Sequence, residues 1–118
     1  MAAFETFIPR RMVTREARIT ILGAGVFWIN FAATRKFFEG FKRTYLLYDK
    51  ERKVIGFKPT NEQENTYSLS RARGRNDITV SGMAFLEFYK VPHKERKSYE
   101  AAWNSKEKLV EVDLNKPL

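Results

Sequence analysis

The apolar positions of this chain fall in short runs with a two-residue period, separated by polar turns, which is the pattern of β-strands joined by hairpins. The clearest case is residues 43 to 59, RTYLLYDKERKVIGFKP, where Tyr45 to Tyr48 and Val54 to Phe57 flank the charged turn Asp49-Lys50-Glu51-Arg52-Lys53. Aromatic and β-branched residues on both sides of such a turn predict a hairpin, here closed by Pro59. A second hairpin is predicted from Tyr99 to Trp103, through the polar turn Asn104 to Lys108, returning along Leu109, Val110 and Val112. Upstream, Arg18 to Leu22 and Val26 to Ile29 read as strands around Gly23-Ala24-Gly25. These glycines do not make a dinucleotide fingerprint, because Trp28 stands where the third glycine is required, so a tight turn is predicted.

Two short helices interrupt the strands. Asn30 is a candidate cap for a helix over Phe31 to Glu39, ended by Gly40, with Phe31 and Phe38 seven residues apart on the inward face. Ser81 is a candidate cap for a helix from Met83 to Lys90, with Phe85, Phe88 and Tyr89 inward and Pro92 ending it. Tyr67 to Ser70 reads as an edge strand and Ile78 to Val80 as a further strand. The chain therefore divides into an N-terminal arm (1–17), a strand, helix and hairpin unit (18–60), a polar linker with a basic loop (61–76), and a second strand, helix and hairpin unit (77–118). Two such units suggest copies packed about a pseudo-twofold axis. The competing reading is that any small α+β chain aligns to itself this loosely.

Charge adds the functional hint. The net charge of the 118 residues is +8, and residues 1 to 60 carry twelve Lys or Arg against five Asp or Glu, while the remainder carries ten against nine. Arginine concentrates at Arg10, Arg11, Arg15 and Arg18 in the arm, and at Arg71, Arg73 and Arg75 in the linker loop. Such clusters suit phosphate, because Lys and Arg contacts to a nucleic-acid backbone release counterions. A solvated face that keeps the protein soluble, an acidic protein and a membrane surface are the alternatives.

The segment ITILGAGVFWINFAATRKFFEGFKRTYLLYDKERKVIGFKP resembles the swapped-hairpin unit of AbrB-type DNA-binding proteins, including the MraZ group, with a fainter likeness over residues 78 to 114. The resemblance implies two units interleaving into a swapped-hairpin-like barrel, with basic residues of one face on DNA. The chain departs from the family in having Ile29-Asn30 where Ile-Pro is usual, and no basic residue in the turn Leu22 to Gly25. The whole chain also resembles a set of small uncharacterised bacterial proteins, which adds no function.

Catalytic chemistry has no recognisable constellation. Cysteine is absent, which excludes thiolate nucleophiles, disulfides and Cys-built zinc sites and suits a reducing compartment. The single histidine, His93, reads as a loop residue without a partner base or ligand set, and Glu62 and Glu64 as a solvated pair. No apolar run reaches the ~20 residues that span a bilayer, and the N-terminus lacks the pattern of a signal peptide, so a cytoplasmic location is expected. Phe27, Phe57 and Phe85 are predicted core residues; Trp28 and Trp103 lie near turns, where burial and base stacking are both open.

The reading is an α+β, non-enzymatic protein without cofactor or metal that binds nucleic acid, specifically double-stranded DNA, through Arg10, Arg11, Arg15, Arg18, Arg71, Arg73 and Arg75. A small transcriptional regulator or antitoxin-like protein fits it, as a monomer with internal symmetry or as a homodimer. The alternative is a protein-interaction or structural module that pairs through its hairpin edges.

Overall fold

Alternation decides which side of each strand is buried, and the buried set comes from every part of the chain. In a computed structural model that describes residues 3–4, 16–71 and 76–118, ten short strands form two antiparallel five-stranded sheets. The strands are β1 (Arg18–Ile21), β2 (Val26–Ile29), β3 (Arg43–Asp49), β4 (Val54–Thr60), β5 (Tyr67–Ser68), β6 (Ser70–Arg71), β7 (Ile78–Ser81), β8 (Lys97–Glu100), β9 (Ala102–Asn104) and β10 (Leu109–Asp113). The first sheet has the order β6-β7-β2-β1-β8 and the second β5-β3-β4-β10-β9. Two helices complete an α+β fold: α1 (Phe31–Ala33), which runs directly into a π-helical turn (Thr34–Phe38), and α2 (Met83–Phe88).

Ile19, Phe27, Ile29, Ile78 and Val80 of the first sheet face Ile55, Phe57, Val110 and Val112 of the second, all fully buried. Phe27 and Phe57 meet edge to face at 5.0 Å between ring centroids, and Phe85 of α2 packs against Phe27 at 6.3 Å. The three predicted core phenylalanines thus join the two sheets and α2 through one aromatic contact set.

The helices cover opposite ends of this core. β2 runs from Val26, paired with Ser81 beside α2, to Ile29, next to the start of α1. At the α2 end, Gly82 N–H donates to Gly25 O at 2.9 Å and Tyr48 meets Phe85 edge to face. The Gly23-Ala24-Gly25 turn is as expected: Gly25 N–H donates to Leu22 O, Leu22 N–H to Val26 O, and Gly25 takes φ +80°, which costs glycine little. The Asp49 to Lys53 hairpin turn is also present, pinned by Asp49 Oδ1 accepting from the N–H groups of Glu51 and Arg52.

Several local expectations change. The predicted continuous strand at 99–103 breaks at Ala101: β8 pairs with β1 in the first sheet, while β9 pairs with β10 in the second. Ala101 stays satisfied at the corner because its N–H donates to Ala17 O at 2.9 Å. The predicted edge strand Tyr67 to Ser70 divides in the same way at Leu69, whose N–H donates to Lys42 O, leaving β5 in the second sheet and β6 in the first. Ser81 is not a helix cap but the last residue of β7; Gly82 precedes α2 without a side-chain cap. The second helix ends at Phe88 rather than Lys90, and Phe88, expected to face inward, is 75% exposed. Phe38 is buried as expected, but Phe31 is only partly covered, under the Arg35 guanidinium. Pro59 lies inside β4, opposite Thr44, rather than beyond it; β10 pairs with β4 only as far as Phe57, so no neighbour asks Pro59 for an N–H.

Both sheets are open, so their ladders do not make the closed barrel that the resemblance implies. The outer edge of β8 is occupied instead by the end of the chain, through the Tyr99 and Pro117 bridge and the Leu118 N–H bond to Ser98 O at 2.8 Å.

Candidate nucleic-acid interface

Asn30 organises the junction between α1 and the first basic strand position, Arg18. Its Oδ1 accepts from Ala33 N–H at 2.9 Å, the cap predicted for α1, and also from Arg18 N–H at 3.1 Å. Its Nδ2 donates to Glu16 O at 2.8 Å, and its N–H donates to Arg18 O at 3.1 Å. One side chain therefore ties the first turn of α1 to the entry of β1. The tight connection from Ala33 onward passes through a π-helical turn, a geometry uncommon in ordinary helices and frequent at functional sites.

That turn presents Arg35, Lys36 and Phe37 to different neighbours. Arg35 lies 5.7 Å from the Phe31 ring centroid and borders a recess of about 220 Å³ together with Arg71, Asn76 and Glu39. Lys36 and Phe37 border a second recess, of about 280 Å³, with Arg18, Glu16 and Glu100. The two basic positions that sequence placed 53 residues apart, Arg18 and Arg71, are thus set on either side of a single helical turn that contributes two further cations.

Arg18 and Arg71 are the described members of the predicted set. Arg18 pairs with Glu16 at 2.6 Å, both side chains being well exposed, which makes the pair weak and open to exchange for another anion. Its Nε is buried and has no hydrogen-bond partner. Arg71 is exposed on the edge strand β6. Arg10, Arg11, Arg15, Arg73 and Arg75 lie outside the described residues. By sequence, 5–15 leads directly into Glu16 and 72–75 lies between Arg71 and Asn76, and these two segments carry five arginines and one glutamate, half of the net +8.

Arg35 and Lys36 are not in the predicted site, because helical spacing marks them only as the wet side of a helix. The signal available for them is the Asn30 cap followed by adjacent basic residues; what sequence lacks is the pairing that brings β6 alongside β7 and β2 and so sets Arg71 beside them.

The two tryptophans differ. Trp28 points outward from the first sheet, where Nε1 donates to Asp77 Oδ2 at 2.9 Å and the Arg96 guanidinium lies 5.3 Å from the ring. Trp103, on β9, stacks on Phe37 with ring centroids 5.8 Å apart and planes 9° from parallel, and remains 47% exposed.

Elsewhere, His93 Nδ1 lies 3.2 Å from Gly23 O, in hydrogen-bond reach of the β1–β2 turn. Among the described residues no group of three or more His, Asp or Glu side chains is placed to hold a metal ion, and no helix is long and apolar enough to cross a membrane. Between the hairpin tips, Arg52 bridges Asp49 at 3.0 Å and Glu111 at 2.9 Å, and Asn104 Nδ2 donates to the same Glu111 oxygen. These groups satisfy one another and close the charge of that groove internally.

Comparison with known proteins found no matching family model, no matching curated protein and no matching solved structure.

Proposed function

We propose that this protein binds double-stranded DNA through backbone phosphates, using the end of the molecule that carries α1 and the π-helical turn. The observation that carries the reading is the convergence there of Arg18, Arg35, Lys36 and Arg71 from separate stretches of chain, with both arginine-rich segments adjoining it in sequence. Glu16, Glu39 and Glu100 border the same recesses and temper the field, so affinity rests on several modest contacts rather than one deep site. A small regulatory or antitoxin-like role, without catalysis or cofactor, accords with this surface.

The connectivity also supports the two-unit reading within this proposal. The first unit, β1-β2-α1-β3-β4, gives a hairpin to each sheet around a helix; the second, β7-α2-β8-β9-β10, has the same strand, helix and hairpin order with β8 added on the edge of β1, and β2 lies beside β7 and β4 beside β10 at the sheet centres. This placement is what a pseudo-twofold arrangement of two units calls for.

The test is binding of the full chain to labelled random-sequence duplex DNA at low and at physiological salt, beside an Arg35→Ala/Arg71→Ala variant. Salt-sensitive binding that the double variant weakens is expected. Absence of binding at low salt rejects the reading and favours the alternative, a module that pairs with another protein through a sheet edge.

A further inference from the structure

Trp103 lies opposite Val110, a fully buried residue, so its side chain leaves β9 on the core side of the sheet. At the sheet edge it does not enter the core. It lies nearly parallel on Phe37, and 47% of its surface stays in solvent. An indole covered on one face and still half exposed offers its second face to another flat ring.

The surroundings narrow what that ring is. Phe37 sits between Lys36 and Phe38 on the π-helical turn, and the recess it borders sets Arg18, Lys36, Glu16 and Glu100 among Ala17, Ala101 and Leu118, a mixed surface that carries two cations and two carboxylates. An apolar protein side chain docked there would desolvate those charges without pairing them. A nucleobase brings a stackable face together with a phosphate for the cations, which is how aromatic and basic residues cooperate in binding unpaired strands. Trp28 serves as the internal contrast, since its ring is already held by Arg96 and its N–H by Asp77.

We infer that Trp103, backed by Phe37, is a stacking shelf for one unpaired base, so that the nucleic acid preferred by this protein is a duplex bearing a single-stranded overhang or opening. Lys36 holds the phosphate next to that base. The inference rests on the nucleic-acid reading above and adds to it the class of substrate.

The experiment compares blunt duplex DNA with the same duplex carrying a short thymidine overhang, at either end of the strand, for wild-type protein and for Trp103→Ala and Trp103→Phe. Affinity is read by anisotropy of the labelled DNA, together with intrinsic tryptophan fluorescence, and circular dichroism checks the fold of each variant. The overhang is expected to bind about tenfold more tightly than the blunt duplex and to quench tryptophan emission. Trp103→Ala should abolish the preference, so that overhang and blunt duplex bind alike, while Trp103→Phe, which keeps a ring, should retain most of the preference and lose the quenching. Equal binding of blunt and overhang DNA, or a preference that survives Trp103→Ala, overturns the shelf while leaving duplex binding standing. If neither DNA binds, both readings fall. A shift of wild-type protein, but not of Trp103→Ala, to a dimer in sedimentation without DNA would assign the ring to a second copy of the chain and likewise overturn the inference.

Discussion

Asn30 and Arg18 hold each other by two hydrogen bonds, Asn30 Oδ1 accepting from Arg18 N–H at 3.1 Å and Asn30 N–H donating to Arg18 O at the same distance. Because the same Oδ1 also caps α1 through Ala33 N–H, the residue couples helix capping to the position where the basic arm meets the sheet. Replacing it by alanine removes the cap and leaves Arg18 N–H and Glu16 O without their side-chain partner. Asn30→Ala should lower stability by about 2 kcal/mol, on the scale of a missing cap with an added partnerless group. Asn30→Asp, which keeps the acceptor and loses only the Nδ2 donor, should cost less. Urea unfolding of the two variants measures the difference, and equal costs would show that the acceptor is not the group that matters.

Gly82 faces the Phe27 ring so closely that a Cβ there would stand 2.3 Å from Phe27 Cε2. Phe27 is fully buried among Phe57 and Phe85 and has nowhere to turn. Gly82→Ala should therefore destabilise the protein by about 1 to 3 kcal/mol through overpacking, and alanine is also the poorer residue at the N-cap of α2. A melting temperature equal to that of wild type would show that the ring can give way.

Gly25 tests the neighbouring contact by a different route. It takes φ +80°, and a Cβ would lie 2.8 Å from Met83 Cβ and Cε. Gly25→Ala combines left-handed strain with a clash, and a Met83→Ala background removes the contact with Cε only. Double-variant analysis should show a partial rescue, leaving the conformational cost of about 1 kcal/mol together with the clash against the Cβ and Cα of residue 83. Full rescue by Met83→Ala would mean that the turn imposes no strain.

Among the described residues, the two carboxylates that folding holds low both lie in turns. Asp49 is held below its ordinary 3.8, first by the Arg52 N–H and then by the Arg52 side chain, and Asp113 is lowered chiefly by the Asn115 N–H. A carboxylate whose pKa is depressed on folding adds stability above its unfolded value and loses it as pH falls through the folded one. Thermal melts from pH 6 to pH 2 should therefore fall mainly below pH about 4, and an Asp49→Asn/Asp113→Asn variant should show a flatter profile. Both groups are exposed, so the difference is small, and parallel profiles would remove these turns from the acid response.

For the proposed interface, the salt slope is more telling than the affinity. Each side-chain cation withdrawn from a phosphate of B-DNA should reduce the slope of log K against log salt by about 0.9. The Arg35→Ala/Arg71→Ala variant should therefore lower the slope by about two, while Arg52→Ala, at the opposite end between the hairpin tips, should leave it unchanged. A slope that drops equally in both variants would place the binding face elsewhere.

Much of the fold is legible in the sequence because its signals are local. The Asn30 cap, the glycine turn at 23–25 and the hairpin at 43–60 each depend on residues within a few positions of one another, and the core phenylalanines follow from strand alternation. The misplaced elements are those decided by distant partners. Nothing near Ala101 or Leu69 marks a corner; the strands break there because their two halves pair with β1 and β10, or with β3 and β7. Helical spacing allows Phe88 to face inward, but α2 ends at that residue and its ring leans on Tyr89 from outside.

The same division holds for the candidate site. The lopsided charge, the gathering of arginine near residues 10–18 and 71–75, and the lack of any thiol and of more than one histidine are properties of composition and spacing and are visible in the chain alone. Folding is what sets Arg18 and Arg71 on one helical turn with Arg35 and Lys36 between them, and what brings Trp103 to Phe37 across 66 positions of chain. A surface is assembled by sheet pairing between distant strands, and the register that sets those neighbours is fixed by burial of a shared core, which no single segment encodes.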